Sequence, residues 1–193
     1  MDSESPILEQ FQTLLSTSEV LFVVFFRGHW CPFCMSYLSQ LTTLNPSMVA
    51  SKTTPLIITS EPQEHLPATR KSTGYTGEAI VDVENVLASE FKRRGWVDVA
   101  ITEKKGYKFG MAQPAVLVLR GKGKGMGMGE GEVEVLEKWA IIPSAMNLHG
   151  AKDRPDLKQV WENVEASIKG QKRVHGTYSL KGFLSVMWGK IFG

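Results

Sequence analysis

Residues 25–34 read FFRGHWCPFC and contain both cysteines of the chain, Cys31 and Cys34. They follow the apolar run Leu21–Phe26, and a helical pattern begins at Pro32. A strand that leads into C-x-x-C at the start of a helix is a setting in which one sulfur becomes a reactive thiolate and the second resolves it. A disulfide across so short a loop adds little stability, so the pair indicates redox chemistry rather than a structural link.

The composition is that of one ordinary globular domain. The chain has 193 residues, of which 42% are hydrophobic and 22% are charged. A net charge of +2 is too small to indicate a nucleic-acid partner, and no run approaches the roughly 18 apolar residues of a membrane span. The acidic start, Met1–Pro6, lacks the basic and apolar segments of a secretory signal. We therefore expect a cytoplasmic protein, in a compartment that keeps thiols reduced.

Helical and extended patterns alternate along the chain, which predicts an α/β fold with a central mixed sheet flanked by helices. The order of a C-x-x-C strand–helix unit, a hairpin and a last helix is that of a thioredoxin-like fold. We assign 1–170 to this domain and 171–193 to a C-terminal amphipathic extension. The predicted elements are a helix at 8–15, a strand at 20–26, a helix from 32 that stops at Asn45-Pro46, a strand at 55–59, a helix capped by Ser60, a strand at 78–81, a helix at 83–91, antiparallel strands at 115–119 and 132–139, and a helix at 153–168 with Pro155 in its first turn.

The position of Cys31 at a helix N-terminus predicts how the two sulfurs differ. Backbone N–H groups and the helix dipole favour a thiolate there, so we expect the pKa of Cys31 to be lowered. Cys34 lies one turn further and is expected to be buried and protonated, ready to attack a mixed disulfide at Cys31. Pro32 suits the first helical position because no hydrogen bond is lost there.

Residues 25–34, continuing to Tyr37-Leu38, resemble the peroxiredoxin-like branch of the thioredoxin superfamily, also described as alkyl hydroperoxide reductase/thiol-specific antioxidant-like. The resemblance extends from Leu14 to about Trp139. It implies an antioxidant dithiol enzyme with no bound cofactor or metal, reduced by a thioredoxin or glutathione system. It also implies that Pro114 follows a cis peptide bond and packs beside the sulfurs.

One departure from that family concerns the residues that hold a peroxide. Typical members have Thr or Ser three residues before the reactive cysteine, where this chain has Gly28, and an arginine near the late strand, where it has Gln113-Pro114. Arg27 and Arg120 are candidate substitutes outside the usual positions. The departure favours thiol–disulfide exchange, with peroxide reduction as the alternative.

Three residues beside the motif are candidates for supporting roles. His29 is a candidate to polarise Cys31 or move a proton, or is simply a loop histidine. Trp30 is expected at the rim where a partner docks. Arg27 either stabilises a thiolate or is a solvated charge at a strand end.

The C-terminal residues 177–193 combine basic and large apolar side chains. Packing on the chain's own domain or in a homodimer is favoured over contact with a membrane surface or a partner. A third function, from a different class, is a redox-regulated interaction module that docks through this segment. The glycine-rich run 121–131 is expected to form a hairpin tip, because it lacks the spacing of a phosphate-binding loop.

Overall fold

A computed structural model describes residues 5–121 and 133–181. The glycine-rich run beyond residue 121 and the C-terminal segment 182–193 lie outside the described residues. The helices and strands are α1 Pro6–Thr17, β1 Val20–Phe25, α2 Pro32–Ala50, β2 Thr53–Thr59, α3 Leu66–Thr73, β3 Glu78–Val81, α4 Val86–Arg93, β4 Ile101–Thr102, β5 Met111–Ala112, β6 Ala115–Gly121, β7 Val133–Ala140, β8 Arg154–Pro155, α5 Leu157–Ile168 and β9 Leu180–Lys181.

Five strands form the central sheet in the order β3-β2-β1-β6-β7. β1, β2 and β3 are parallel, whereas β6 is antiparallel to β1 and β7 is antiparallel to β6. This confirms the predicted mixed sheet and the predicted β6–β7 pair. β1 is buried at every position because helices cover both faces of the sheet.

The two faces of the sheet bury separate apolar clusters. On one face Phe22 packs against α2 and α5, with its ring 6.3 Å from that of Trp161. On the other face Phe25 packs against α1 and α4, with its ring 5.9 Å from that of Phe91. Each such side chain contributes about 1.5–3 kcal/mol by leaving water. Because β1 is central in the sheet and packed on both faces, the segment that leads from β1 to the cysteines starts from a firmly held position.

The prediction that α2 stops at Asn45-Pro46 is wrong. The helix continues through Pro46 to Ala50. Met48 is fully buried in the core, and the indole N–H of Trp161 donates to the Ser47 hydroxyl at 2.9 Å. These tertiary contacts outweigh the backbone hydrogen bond that proline removes.

Ser60 does not cap a helix, contrary to the prediction. It is buried, and its hydroxyl donates to Asn85 Oδ1 at 2.7 Å and accepts from the Ala112 N–H at 2.9 Å. The chain after Ser60 forms a short 3-10 turn at Gln63–His65 before α3 begins. The serine therefore ties three separated segments together instead of starting a helix.

The last predicted helix begins later than expected. Pro155 lies in β8 and not in the first turn of α5, which starts at Leu157 with Asp156 accepting from the Lys158 N–H at 2.9 Å. β8 pairs antiparallel with β9. This short strand pair holds Arg154 beside the N-terminal end of α2. Among the described residues, no helix is both long and apolar enough to cross a membrane.

Candidate active site

The two cysteines lie where β1 gives way to α2. Cys31 is the N-cap residue of α2 and Pro32 is its first residue, as predicted. Both cysteines are free thiols and both are buried, with 1% of Cys31 and none of Cys34 exposed. Cys31 lies just under the surface, since its neighbours Trp30 and Pro32 are exposed. An incoming reactant therefore reaches Cys31 before Cys34.

A buried arginine contacts both sulfurs. Arg154 Nη2 lies 3.3 Å from Cys34 Sγ and 3.9 Å from Cys31 Sγ. The same guanidinium stands over the ring of Tyr37, 5.4 Å from its centre. Its Nε and Nη1 have no hydrogen-bond partner among the described residues. A buried cation is costly unless a negative charge accompanies it, so this arginine favours a thiolate in the cysteine pair.

The geometry places that negative charge on Cys34. Burial raises the pKa of the Cys34 thiol, but hydrogen bonding with Cys31, the Arg154 charge and the Arg27 N–H together lower it to about 5. The pKa of Cys31 is raised, chiefly by its hydrogen bond to Cys34 and then by burial. The sequence predicts a thiolate at Cys31 and a proton on Cys34, whereas the donors found around Cys34 Sγ favour the other distribution of charge.

Arg27 contributes to the site through its backbone. Its N–H donates to Cys34 Sγ at 3.4 Å. Its guanidinium lies over the Trp30 ring, 5.1 Å from the centre, and its Nε is buried, although the residue as a whole is partly exposed. The suggested role of the Arg27 side chain at the thiolate is therefore not seen in this geometry.

Trp30 is 39% exposed and lies at the rim of the site. Its indole N–H donates to Tyr107 Oη at 2.9 Å, and Tyr107 in turn donates to the Arg27 carbonyl at 2.7 Å. Lys104 Nζ is 4.4 Å from the centre of the Trp30 ring. The loop before Cys31 is thus held by a tyrosine from a distant segment, and its exposed surface is basic and aromatic. The docking role of Trp30 stays a prediction.

Gly28 is required where the family usually has Thr or Ser. Its φ of +153° is rarely adopted by other residues. A Cβ added there would lie 2.5 Å from Tyr107 Oη and 2.7 Å from Glu61 Oε1. A side chain at this position would require the side chains of Tyr107, Glu61 and Trp30 to move.

His29 points to a carboxylate. Its Nδ1 is 2.7 Å from Glu61 Oε1, and its backbone N–H donates to Glu61 Oε2 at 2.8 Å. Its ring stacks on that of His65 with centres 4.7 Å apart. His29 is therefore engaged by Glu61, and its suggested role as a proton carrier for Cys31 stays a prediction.

Pro114 and Arg120 are the two remaining sequence candidates. The Gln113–Pro114 peptide bond is trans, whereas the resemblance implied a cis bond. Arg120 pairs with Glu134 and donates to the Ser167 carbonyl, near the end of the sheet opposite the cysteines. Arg120 therefore does not replace the missing family arginine.

The sequence did not identify Arg154, Glu61 or Tyr107 as site residues. Arg154 follows an aspartate and precedes a proline, a context that indicated the start of a helix. Nothing in its local pattern shows that it faces residues more than 100 positions earlier. A single buried arginine has no periodic pattern in the sequence, and its position at the cysteines depends on the tertiary placement of β8, which pairs with β9.

The fold is shared with solved peroxiredoxin structures. A cysteine-to-serine mutant of the peroxiredoxin 6 of Arenicola marina superposes with a TM-score of 0.56 at 11% identity, over 81% of this chain and 64% of that one. For Mycobacterium tuberculosis AhpC the TM-score is 0.53 at 11% identity, over 79% and 71% of the two chains. For Xanthomonas campestris peroxiredoxin Q it is 0.51 at 12% identity, over 79% of each chain. These similarities confirm the predicted thioredoxin-like fold.

Comparison by sequence gives no counterpart: no protein-family model and no curated protein matches the chain. The roles of the individual site residues consequently rest on the geometry described above.

Proposed function

We propose that this chain, which has the thioredoxin-like fold of the peroxiredoxins, is a dithiol oxidoreductase. Cys31 and Cys34 alternate between the reduced pair and an internal disulfide. The observation that supports this proposal is the single guanidinium of Arg154 placed against both sulfurs. One fixed positive charge favours one negative charge in the reduced pair, so one of the two sulfurs is a thiolate near neutral pH.

The preferred reaction is thiol–disulfide exchange, with Cys31 as the attacking sulfur because it is nearer the surface. As Cys31 attacks one sulfur of a substrate disulfide, its proton passes to the Cys34 thiolate, and the other substrate sulfur leaves as a thiolate. Cys34 then loses this proton to solvent or to the departed thiolate and attacks Cys31 Sγ. The bond between Cys31 and the substrate breaks, and the second substrate thiolate leaves. Two electrons have passed to the substrate, and the protein holds a disulfide.

Peroxide reduction is a second candidate that one feature of the structure favours. A small cavity borders Arg154 and is lined also by Phe33 and Tyr37, but by neither cysteine. Its 20 Å³ is room for about one water-sized molecule beside the guanidinium that contacts both sulfurs. Cys31 would take one peroxide oxygen to become a sulfenic acid while the other oxygen leaves as water. Cys34 would then displace that hydroxyl as a second water and form the disulfide.

The reductant that regenerates the dithiol is proposed from the comparisons. A structurally similar protein, a yeast mitochondrial 1-Cys peroxiredoxin, resolves its thiol via glutathione/thioredoxin systems. We propose that one of these systems also reduces the disulfide of this chain. The basic, aromatic rim formed by Trp30 and Lys104 suits a reductant with acidic groups near its thiol.

The interaction module remains a separate proposal, since it depends on the segment 177–193, of which residues 182–193 lie outside the described part of the chain. Truncation after Lys181 tests it and preserves the β8–β9 pair. Unchanged turnover with lost binding to a partner or to membranes would support the module. Unchanged binding in both assays would contradict it.

The deciding experiment compares two oxidants on the fully reduced protein. Oxidised glutathione and hydrogen peroxide are mixed separately with wild type and with Cys34→Ser, and products are identified by intact mass. Exchange predicts rapid disulfide formation with oxidised glutathione and a trapped glutathione adduct on the variant. Peroxide reduction predicts a trapped sulfenic acid instead. Reaction no faster than that of free cysteine with either oxidant would overturn the proposal; the Cys31→Ser/Cys34→Ser double variant gives the background.

A further inference from the structure

Three potential metal ligands converge beside the loop that precedes Cys31. They are His29, Glu61 and His65, and one ligand atom from each lies within 4.8 Å of the other two. We propose that these side chains bind a divalent transition-metal ion, with Zn²⁺ as the preferred ion, at a site distinct from the two cysteines.

Separate parts of the backbone hold the three ligands in place. Glu61 follows β2, and its backbone N–H donates to the Thr59 hydroxyl at 3.0 Å. Its carboxylate also accepts the His29 N–H, which fixes the His29 loop to this segment. His65 ends the 3-10 turn Gln63–His65, four residues beyond Glu61. The short turn brings its imidazole back over His29.

The burial of the three groups suits a cation site with an open side. The Glu61 side chain is only 5% exposed, whereas those of His29 and His65 are 35% and 40% exposed. The buried Glu61 carboxylate contacts His29, which carries a positive charge only when it is protonated. A metal ion would supply a permanent positive charge there. Glu64 adds negative charge, with Oε1 3.9 Å from His65 Nε2.

Metal binding requires His65 to move. Zinc bonds of about 2.0–2.2 Å place the ligand atoms of a tetrahedral site about 3.3–3.6 Å apart. His29 Nδ1 and Glu61 Oε1 are closer than this, at 2.7 Å, because a proton occupies the position between them. The metal would displace that proton, and the half-exposed His65 ring, which stacks on that of His29, would rotate out of the stack so that one of its nitrogens points at the metal. Two imidazoles and one carboxylate are ligands that zinc prefers, and water would fill the fourth position.

The test uses Cys31→Ser/Cys34→Ser protein, so that the thiols cannot bind the metal. Cobalt(II) is the probe, because four- or five-coordinate cobalt absorbs strongly in the visible and thiolate ligation adds a separate near-ultraviolet band. We expect one cobalt per chain, visible bands without the thiolate band, and displacement by an equivalent of zinc. Zinc should also raise the melting temperature of this protein, since it binds the native state.

Variants then identify the ligands. His65→Gln in the same background should weaken zinc binding at least about 100-fold, since even outer-shell partners contribute 10–100-fold. His175→Gln is the matched control, because His175 also pairs with a carboxylate, Glu162, but has no third ligand in the described cluster. It should bind zinc as the parent does. Circular dichroism without metal verifies that each variant folds.

The proposal is overturned if the double-serine protein shows no visible cobalt bands, or if His65→Gln binds as tightly as the control. In that event His29 and Glu61 form an ordinary ion pair. Because the assay protein has no thiols, its result does not depend on the proposed oxidoreductase activity. Failure of the metal site and failure of the redox function are therefore distinguishable.

Discussion

Replacing Arg154 by glutamine should raise the pKa of Cys34. The guanidinium donates to Cys34 Sγ at 3.3 Å in a buried setting. A hydrogen bond to a charged group contributes about 1.5–3 kcal/mol, which corresponds to about 1–2 pKa units. The pKa of about 5 in the wild type should therefore rise to about 6–7 in Arg154→Gln. Because the wild-type pKa is depressed, the thiolate persists above pH 5 and is lost as the pH falls through that value.

The titration is best followed in a Cys31→Ser background, where a single sulfur titrates and the serine hydroxyl can still donate to it. Thiolate absorbance in the ultraviolet against pH gives the pKa directly. Arg120→Gln is the matched control, since Arg120 contacts Glu134 and Ser167 and should leave the pKa unchanged. A rise of less than about half a unit in Arg154→Gln, under about 0.7 kcal/mol, would refute the role assigned to the guanidinium.

Three stability predictions concern the surroundings of the site and are checked by urea unfolding. Gly28→Ala should lower the free energy of unfolding by about 1–3 kcal/mol more than Gly95→Ala does. Both glycines have positive φ, but only Gly28 lacks room for a Cβ. Equal losses of stability in the two variants would contradict this. Asp82→Ala should lower the free energy of unfolding by about 1–2 kcal/mol, since its carboxylate accepts two N–H groups at the start of α4, while exposed Glu84→Ala should change it little. Tyr75→Phe should lower the free energy of unfolding by about 1–2 kcal/mol, because the buried hydroxyl lies within hydrogen-bond distance of two backbone carbonyl oxygens. An unchanged midpoint would show that the hydroxyl contributes nothing.

The central sheet could be predicted because its strands have strong local signals. Leu21–Phe26 and 115–119 are continuous apolar runs, and both form buried strands. Elements whose ends depend on tertiary contacts were predicted less well. α2 passes Pro46 because Met48 is buried beyond it, and no local pattern contains that information.

The candidate site was predictable only where it is local in sequence. Cys31, Pro32 and Cys34 lie at the start of a helix as the motif indicated. The charge distribution between the sulfurs was not predictable, because it depends on Arg154, which reaches them from β8. Helix position alone favours a thiolate at Cys31, whereas the donor from Arg154 favours one at Cys34.

The pairing of β8 with β9 has a mechanical consequence. Arg154 lies in β8, and its backbone is paired with Lys181, the last described residue before segment 182–193. A pull on that segment would act first on β9 and then on the strand that carries the guanidinium. The arginine's contacts with Cys34 and Cys31 differ by only 0.6 Å, at 3.3 and 3.9 Å, so a displacement of that size is enough to exchange the nearer sulfur. The backbone at Lys181 is thus connected, through one pair of short strands, to the guanidinium that contacts both sulfurs.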